Sequence, residues 1–461
     1  MSHILNNWQP EDQVFWEKEG KAIAQRNLWI SIPALFLSFA VWMVWSAVTV
    51  RLNSIGFKFT TNELFWLAAI PGLSGATLRI FYSFMVPIFG GRLWTTLSTA
   101  SLAIPALWMG MAVQDLNTSY TTFVIIALLC GFGGGNFASS MANISFFFPK
   151  NQQGTALGLN AGLGNLGVSA VQFFVPLAIT AGVFGAFGGD PQLVTLKAGV
   201  TQQLWLQNAG FIWLPLIAIC TLAAWFGMND LSSSRASFRE QAVIFKLKHN
   251  WLMCWLYIAT FGSFIGYAAG FPMLIKTQFP TIDPLQFAFL GPLVGALIRP
   301  VGGWMSDKWG GARVTFWNFI VMIFAVLGVL SFLPMNGVGG SFYGFLTMFM
   351  LLFVTTGIGN GSTFRMIPVI FRTQHERAAA GKGEAAAAQG FKDAAKESAA
   401  VLGFSSAMAA YGAFFIPKAY GTSIAMTGGP EAALYCFIVY YITCIGVTWW
   451  WYYRDEAEVS C

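Results

Sequence analysis

The sequence is short of charge. Only 10% of its 461 residues are Asp, Glu, Lys or Arg, against roughly 25% in a water-soluble domain. With 56% of the residues hydrophobic, that shortage argues against a soluble globular chain. Histidine is scarcer still: His3, His249 and His375 are the only three, and none lies within a long apolar run. A haem- or metal-dependent redox enzyme acting inside a membrane needs ligands there, so that class is disfavoured and no cofactor or metal is expected. The six cysteines are scattered. Five of them (Cys130, Cys220, Cys254, Cys436 and Cys444) sit in apolar segments, where they read as small buried hydrophobes rather than a disulfide framework. The stretch Met1 to Arg26 lacks an apolar core and does not read as a cleaved signal peptide. The net charge of +6 is spread over short loops, which is no footprint for nucleic acid.

What the sequence has in abundance is apolar runs of membrane-spanning length. Twelve are expected: 29–50, 62–88, 93–113, 121–147, 155–181, 206–228, 250–274, 284–306, 313–334, 341–371, 398–418 and 432–453. The fold class is therefore an all-α membrane protein of twelve transmembrane helices in two related halves. The expected division is a 1–28 segment, a 29–228 bundle, a 229–249 linker, a 250–453 bundle and a 454–461 tail. Seventeen basic residues fall on one side of this arrangement and five on the other, so basic residues place both termini in the cytoplasm.

Every Asp and Glu falls in a loop, a tail or a helix edge, Glu63, Asp283 and Asp307 among the last. Three arginines do not: Arg79, Arg299 and Arg365 lie within spans. A charge inside the bilayer is costly and is normally paired, and arginine cannot shed its proton to escape. The absent counter-ion points to a substrate anion bound by Arg79 and Arg299; helix carbonyls and water are the competing partners. Arg365 lies about two turns from the inner end of its span, within reach of either an anion route or the interface.

The two central arginines occupy a repeat. Gly75-Ala-Thr-Leu-Arg79 returns as Gly295-Ala-Leu-Ile-Arg299, 220 positions later, and Gly90-Gly91 answers to Gly310-Gly311. In each half a glycine precedes the arginine by one helical turn, on the same face, and leaves room for a neighbouring helix or a ligand. The fifth span is crowded with glycine. Gly158, Gly162, Asn165 and Ser169 share one face, and Asn160, Gly164 and Gly167 another. Because each glycine weakens a helix by about 1 kcal/mol, so many together fit close packing between helices that slide, and Asn165 offers an amide donor to an anion.

The loop Gly303-Trp-Met-Ser-Asp307-Lys308-Trp-Gly310-Gly-Ala-Arg313 resembles the signature loop of the major facilitator superfamily. In that superfamily such loops form a charge network that closes the inner gate, a role the resemblance gives to Asp307, Lys308 and Arg313. The first-half counterpart, Pro87 to Thr95, keeps its glycines and Arg92 but has no acid. Longer runs are similar to the NarK-type nitrate/nitrite porters of this superfamily: Arg79 to Arg92, Asn136 to Lys150, the glycine-rich fifth span, Ala259 to Gly266 and Phe414 to Lys418.

The resemblance implies a pair of pseudo-symmetric six-helix bundles and a central site with paired arginines and rings that sandwich a planar anion: Arg79, Arg299, Phe137, Asn165, Tyr257 and Phe261, with Phe39 adding a ring. Ser406 and Arg365 join the pathway, and Gly158, Gly162, Gly164, Gly167 and Gly403 the moving faces. The eleventh-span run Gly403 to Gly412 departs from the family pattern, with Ala410 and Tyr411 in place of glycines, and Arg365 stands where some members carry a neutral residue. The expected substrates are nitrate and nitrite, carried by a monomer across the bacterial inner membrane with the lipid bilayer as its other partner. Two guanidinium groups roughly 8 Å apart would repel by about 2 kcal/mol at an effective dielectric of about 20, so an empty carrier closes poorly. Together with the lack of a carboxylate or histidine in the core of the spans, this favours nitrate-for-nitrite exchange; proton-coupled symport on the same fold and site is the alternative.

Overall fold

The computed structural model describes residues 3–195, 201–232, 242–334 and 339–461. Lys197, Arg235 and Arg239, counted above for orientation, and the middle of the 229–249 linker lie outside them. The first half is built from α1 (Lys21–Leu52), α2 (Thr61–Tyr82), α3 (Gly91–Ser101), α4 (Ala103–Ala112), α5 (Tyr120–Phe147), α6 (Lys150–Ala178) and α7 (Trp213–Gly227). The second comprises α8 (Lys248–Tyr257), α9 (Ser263–Gln278), α10 (Leu290–Trp309), α11 (Gly311–Phe332), α12 (Phe342–Ala379), α13 (Glu384–Ala410), α14 (Gly412–Thr427) and α15 (Glu431–Thr448).

Among the described residues, eleven helical stretches are long and apolar enough to cross a membrane. The expected third span is the exception, because it is made of two short helices, α3 and α4, that meet at Leu102. There the Leu102 amide bonds back to the Thr99 carbonyl at 3.1 Å, a tightened turn. Pro105, two residues into α4, has no N–H to offer the carbonyl of Ser101. Two further spans are joined pieces: α8 runs through a π-helical turn, Ile258–Gly262, into α9, and α13 bends at Tyr411 into α14. The 372–397 connector is not a separate element but the ends of α12 and α13, which turn at Gly381 and Gly383, both at positive φ, and are tied by His375 Nε2 to Glu397 at 2.8 Å.

The chain divides into two compact units that do not coincide with the two sequence halves. One gathers the first seven helices together with Ala268–Leu293 and Ala413–Ala425; the other holds Val294–Gly412, Met426–Cys461 and the segment ending at Tyr267. In the first unit α2 packs along α5 and α1 along α6. Gly167 on α6 approaches α1 so closely that a Cβ there would lie 2.1 Å from the Phe36 carbonyl oxygen. The same unit contains the Arg51–Asp283 ion pair at 2.6 Å and the Gln172 amide, which donates to Ser46 Oγ and the Ala268 carbonyl. In the second unit α11 packs along α12 and α12 along α13.

The polar N-terminal segment is docked. Strand β1 (Ile4–Leu5) pairs in parallel with the segment Asp230–Leu231. Trp8 and Trp16 are buried in an apolar cluster with Leu28, Ile144, Phe147 and Phe148, and Trp8 Nε1 donates to the Phe146 carbonyl at 3.1 Å. The tail of the second unit is docked as well. Val459 is buried, and the Ala312 amide at the start of α11 donates to the Cys461 carbonyl at 2.9 Å.

Candidate functional site

Arg79 sits on the last turn of α2 and is wholly buried. A helical side chain of this length leans back over the preceding turn, which for Arg79 begins at Gly75. There it meets two rings. Its guanidinium carbon is 4.7 Å from the centre of Phe137 on α5 and 5.3 Å from that of Trp42 on α1, and its Nε donates to the Gly134 carbonyl at 3.0 Å. Phe39 packs edge-on against Phe137 at 6.0 Å and tilted against Trp42 at 5.7 Å. Of the expected first-half residues, Arg79, Phe137 and Phe39 are therefore brought together. Asn165 on α6 is buried, and its Oδ1 has no hydrogen-bond partner among the described residues.

Trp42 was not anticipated. Its signal is in the sequence only in retrospect, as the reason for the glycine that precedes Arg79 by one turn. A Cβ on Gly75 would lie 2.4 Å from Trp42 Nε1, and one on Gly134 would lie 2.6 Å from Trp42 Cε2.

Arg299 lies on α10 and is half-buried. Its Nη2 donates to the Tyr257 hydroxyl at a long 3.5 Å, and its guanidinium carbon is 5.2 Å from the centre of the Phe364 ring. Its Nη1 is buried with no partner among the described residues. Tyr257 and Phe261 stack at 5.6 Å with planes 21° apart; Tyr257 ends α8 and Phe261 falls in the π turn that follows, a local distortion common at functional sites. Arg299, Tyr257 and Phe261 are thus one cluster, to which Phe364 is added. The glycine before Arg299 repeats the first-half pattern: a Cβ on Gly295 would meet the Phe264 ring at 2.7 Å.

The expectation that no arginine within a span has a carboxylate partner is corrected for Arg365. Its Nε reaches Asp307 Oδ1 at 2.5 Å, with both side chains about half exposed. A long arginine side chain spans from α12 to the acid at the end of α10. Of the other loop residues, Lys308 lies over the rings of Trp304 and Trp309 at 5.4 and 5.6 Å, and Arg313 is exposed at the start of α11. In the first-half loop the acid missing from the sequence is supplied from elsewhere: Asp230 Oδ1 accepts from the Arg92 amide at 2.8 Å.

The glycines expected to move fall into two classes. Gly164 and Gly167 pack on α1, against Leu35 and Phe36, whereas Gly158 and Gly162 on α6 and Gly403 on α13 face open space, with nothing within 4 Å of a Cβ. Ser406 donates to the Gly403 carbonyl at 2.9 Å.

A family model described as Major Facilitator Superfamily matches residues 30–391. The chain is 55% identical to the nitrate/nitrite transporter NarU of Escherichia coli (strain K12), over 98% of this chain and 97% of that one. It is 42% identical to the probable nitrate/nitrite antiporter NarK2 of Thermus thermophilus, over 99% and 98%. Among solved structures, the nucleoside transporter NupG aligns with a TM-score of 0.61 at 10% identity, covering 92% of this chain and 98% of that one. A bacterial homologue of the human lysosomal transporter Spinster, in an inward-facing and occupied conformation, aligns with a TM-score of 0.60 at 13% identity, covering 92% and 95%. These two likenesses concern the fold alone.

Proposed function

The chain belongs to the NarK-type nitrate/nitrite porters of the major facilitator superfamily, and from that premise we propose that it exchanges nitrate for nitrite, with Arg79 and Arg299 as the donors that hold the anion. It is a transporter, not an enzyme, and a multi-pass protein of the bacterial inner membrane. The observation that carries the reading is the buried Arg299 Nη1, a charged donor without a partner among the described residues. Leaving such a group unpaired is costly, and a transported anion would pair it.

The chemistry of the side chains supports nitrate and nitrite in particular. Both are small, flat monoanions, and a guanidinium presents a flat fork of donors that suits planar oxyanions. Rings beside each arginine (Phe137 near Arg79, Phe364 near Arg299) favour a flat ligand over a tetrahedral one. They also add the cost of desolvating a dianion. The Asn165 amide supplies a further neutral group.

Exchange follows from what the spans lack. Arg365 has Asp307, but Arg299 has no carboxylate within salt-bridge distance among the described residues. With no acid there to take up a proton and reset the site, the return step is driven by a second anion. The two halves then alternate access by rocking, the termini facing the cytoplasm.

The test is nitrate uptake into proteoliposomes that are empty or preloaded with nitrite, with and without an imposed pH gradient. Uptake that requires internal nitrite and ignores the gradient is the expected result. Uptake into empty vesicles driven by an inward proton gradient would replace exchange with symport.

A further inference from the structure

We propose that Trp42 is a positioning residue for Arg79, holding its guanidinium in one orientation so that the anion meets a fixed donor. The inference rests on the reading of Arg79 as an anion ligand.

The indole of Trp42 is held on three sides. It is completely buried, and its Nε1 donates to the Pro71 carbonyl at 2.6 Å, tying α1 to α2 two turns before Arg79. Its ring fills a slot between two helix backbones that exists only because Gly75 and Gly134 have no Cβ. The ring therefore has no room to turn. Arg79 follows Gly75 by one turn and leans back toward it, which places the cation over a surface that cannot move. Phe137 and the Gly134 carbonyl complete the restraint. A cation above the face of a desolvated indole is held more firmly than above any other ring.

The second half lacks this arrangement. At Gly295 the intruding ring is Phe264, which has no N–H to anchor it. The ring near Arg299 comes instead from Phe364 on α12, and Arg299 remains half-buried. Arg79 is thus the rigid donor of the two. An ordered side chain has less entropy to lose when a ligand binds, so loosening Arg79 weakens binding without altering the conformational cycle that sets the turnover rate.

The experiment measures KM and maximal rate of nitrate–nitrite exchange in proteoliposomes, with melting temperature as the folding control. Trp42→Leu is expected to raise KM for nitrate about tenfold with the maximal rate within about twofold, and Trp42→Phe to recover most of the loss. Because Trp42→Leu opens a void and can fail to fold, a second series places mono-, di- and trifluorotryptophan at position 42. Fluorine drains the ring face and leaves shape and N–H in place. KM rising stepwise with fluorination at constant melting temperature supports the proposal; a flat series, or equal KM in the Leu and Phe variants, overturns it. Arg79→Lys separates the two levels. Wild-type KM in Arg79→Lys removes the anion reading itself, whereas a large KM rise there beside a flat fluorination series removes only the role of Trp42.

Discussion

Arg92 and Asp230, 138 positions apart, meet at the first turn of α3, where the Arg92 amide donates to Asp230 Oδ1 at 2.8 Å and Arg92 Nε lies 3.5 Å from Oδ2. Asp230 thereby caps a helix whose N-cap position is Gly90, a residue at φ +87. The corresponding glycine of the second half, Gly310 at φ +88, holds the N-cap position of α11, and the Ala312 amide is met by the Cys461 carbonyl. Each half thus brings the chain that follows its last span back to the start of its third. Removing a side-chain cap costs about 0.5–2 kcal/mol. Asp230→Ala should therefore lower the melting temperature, and Asp230→Asn, which keeps the acceptor and loses the charge, should lower it less. Wild-type melting of the Ala variant in a thermal shift assay would show that the cap contributes nothing.

Lysine at either central arginine keeps the charge and loses the fork. Arg79→Lys also loses the Nε bond to Gly134, and Arg299→Lys loses the donor to Tyr257. A hydrogen bond made by a charged group is worth about 1.5–3 kcal/mol, which predicts at least about a tenfold rise in KM for nitrate in each variant. Retained affinity in both Lys variants, read in counterflow, would sink the two-arginine site.

The glycines of α6 separate packing from movement. Gly167→Ala forces a methyl against the Phe36 carbonyl and should cost about 1–3 kcal/mol, as overpacking does. Gly158→Ala meets nothing and should stabilise the helix by up to about 1 kcal/mol. If the open face closes on another helix during the cycle, the same Gly158→Ala variant will exchange more slowly while melting higher. A rise in both rate and melting temperature would end that interpretation.

The sequence exposes some of this architecture and hides the rest for identifiable reasons. Apolar runs of spanning length, the 220-residue repeat and the two central arginines are visible because each is a local pattern or a charge out of place. The broken third span is visible only faintly, since Pro105 is one of several prolines inside spans and most of the others, Pro33 and Pro71 among them, leave their helices continuous. Asp307 as the partner of Arg365 and Asp230 as the cap of α3 escape sequence reading because both contacts join residues far apart in the chain. The docking of the N-terminal segment is hidden because its two buried tryptophans, Trp8 and Trp16, are outnumbered by charged neighbours in a stretch without an apolar core. Trp42 is one of 19 tryptophans, and nothing in its local sequence sets it apart; the two glycines that admit it lie on other helices.

The Arg365–Asp307 contact is short, but both side chains are about half exposed. Pairs in that setting are screened and contribute about 0–1 kcal/mol. A double-mutant cycle with Arg365→Met and Asp307→Asn should give a coupling of no more than about 1 kcal/mol in stability. A coupling of several kcal/mol by thermal or chemical unfolding would mean the pair is desolvated in the working protein.

Glu458 makes a pH dependence predictable in the tail. Its Oε2 accepts from Lys248 Nζ at 2.5 Å and its Oε1 lies 3.2 Å from His249 Nε2, while its carbonyl accepts from Arg377 Nη1. The Lys248 hydrogen bond, assisted by His249, holds the carboxyl below its ordinary value against the opposing effect of burial. A folded-state pKa that is depressed contributes stability above the unfolded value, about 4.3 for glutamate, and loses it as pH falls through the folded value. Wild type should therefore melt above Glu458→Gln at neutral pH, and the gap should close as pH drops below about 4.3. Because the Glu458 side chain is 41% exposed, solvent screens the pair and the gap should be small. The absence of a gap at neutral pH would assign the tail's attachment to its backbone contacts, the Cys461 carbonyl on Ala312 and the Glu458 carbonyl on Arg377, rather than to the carboxylate.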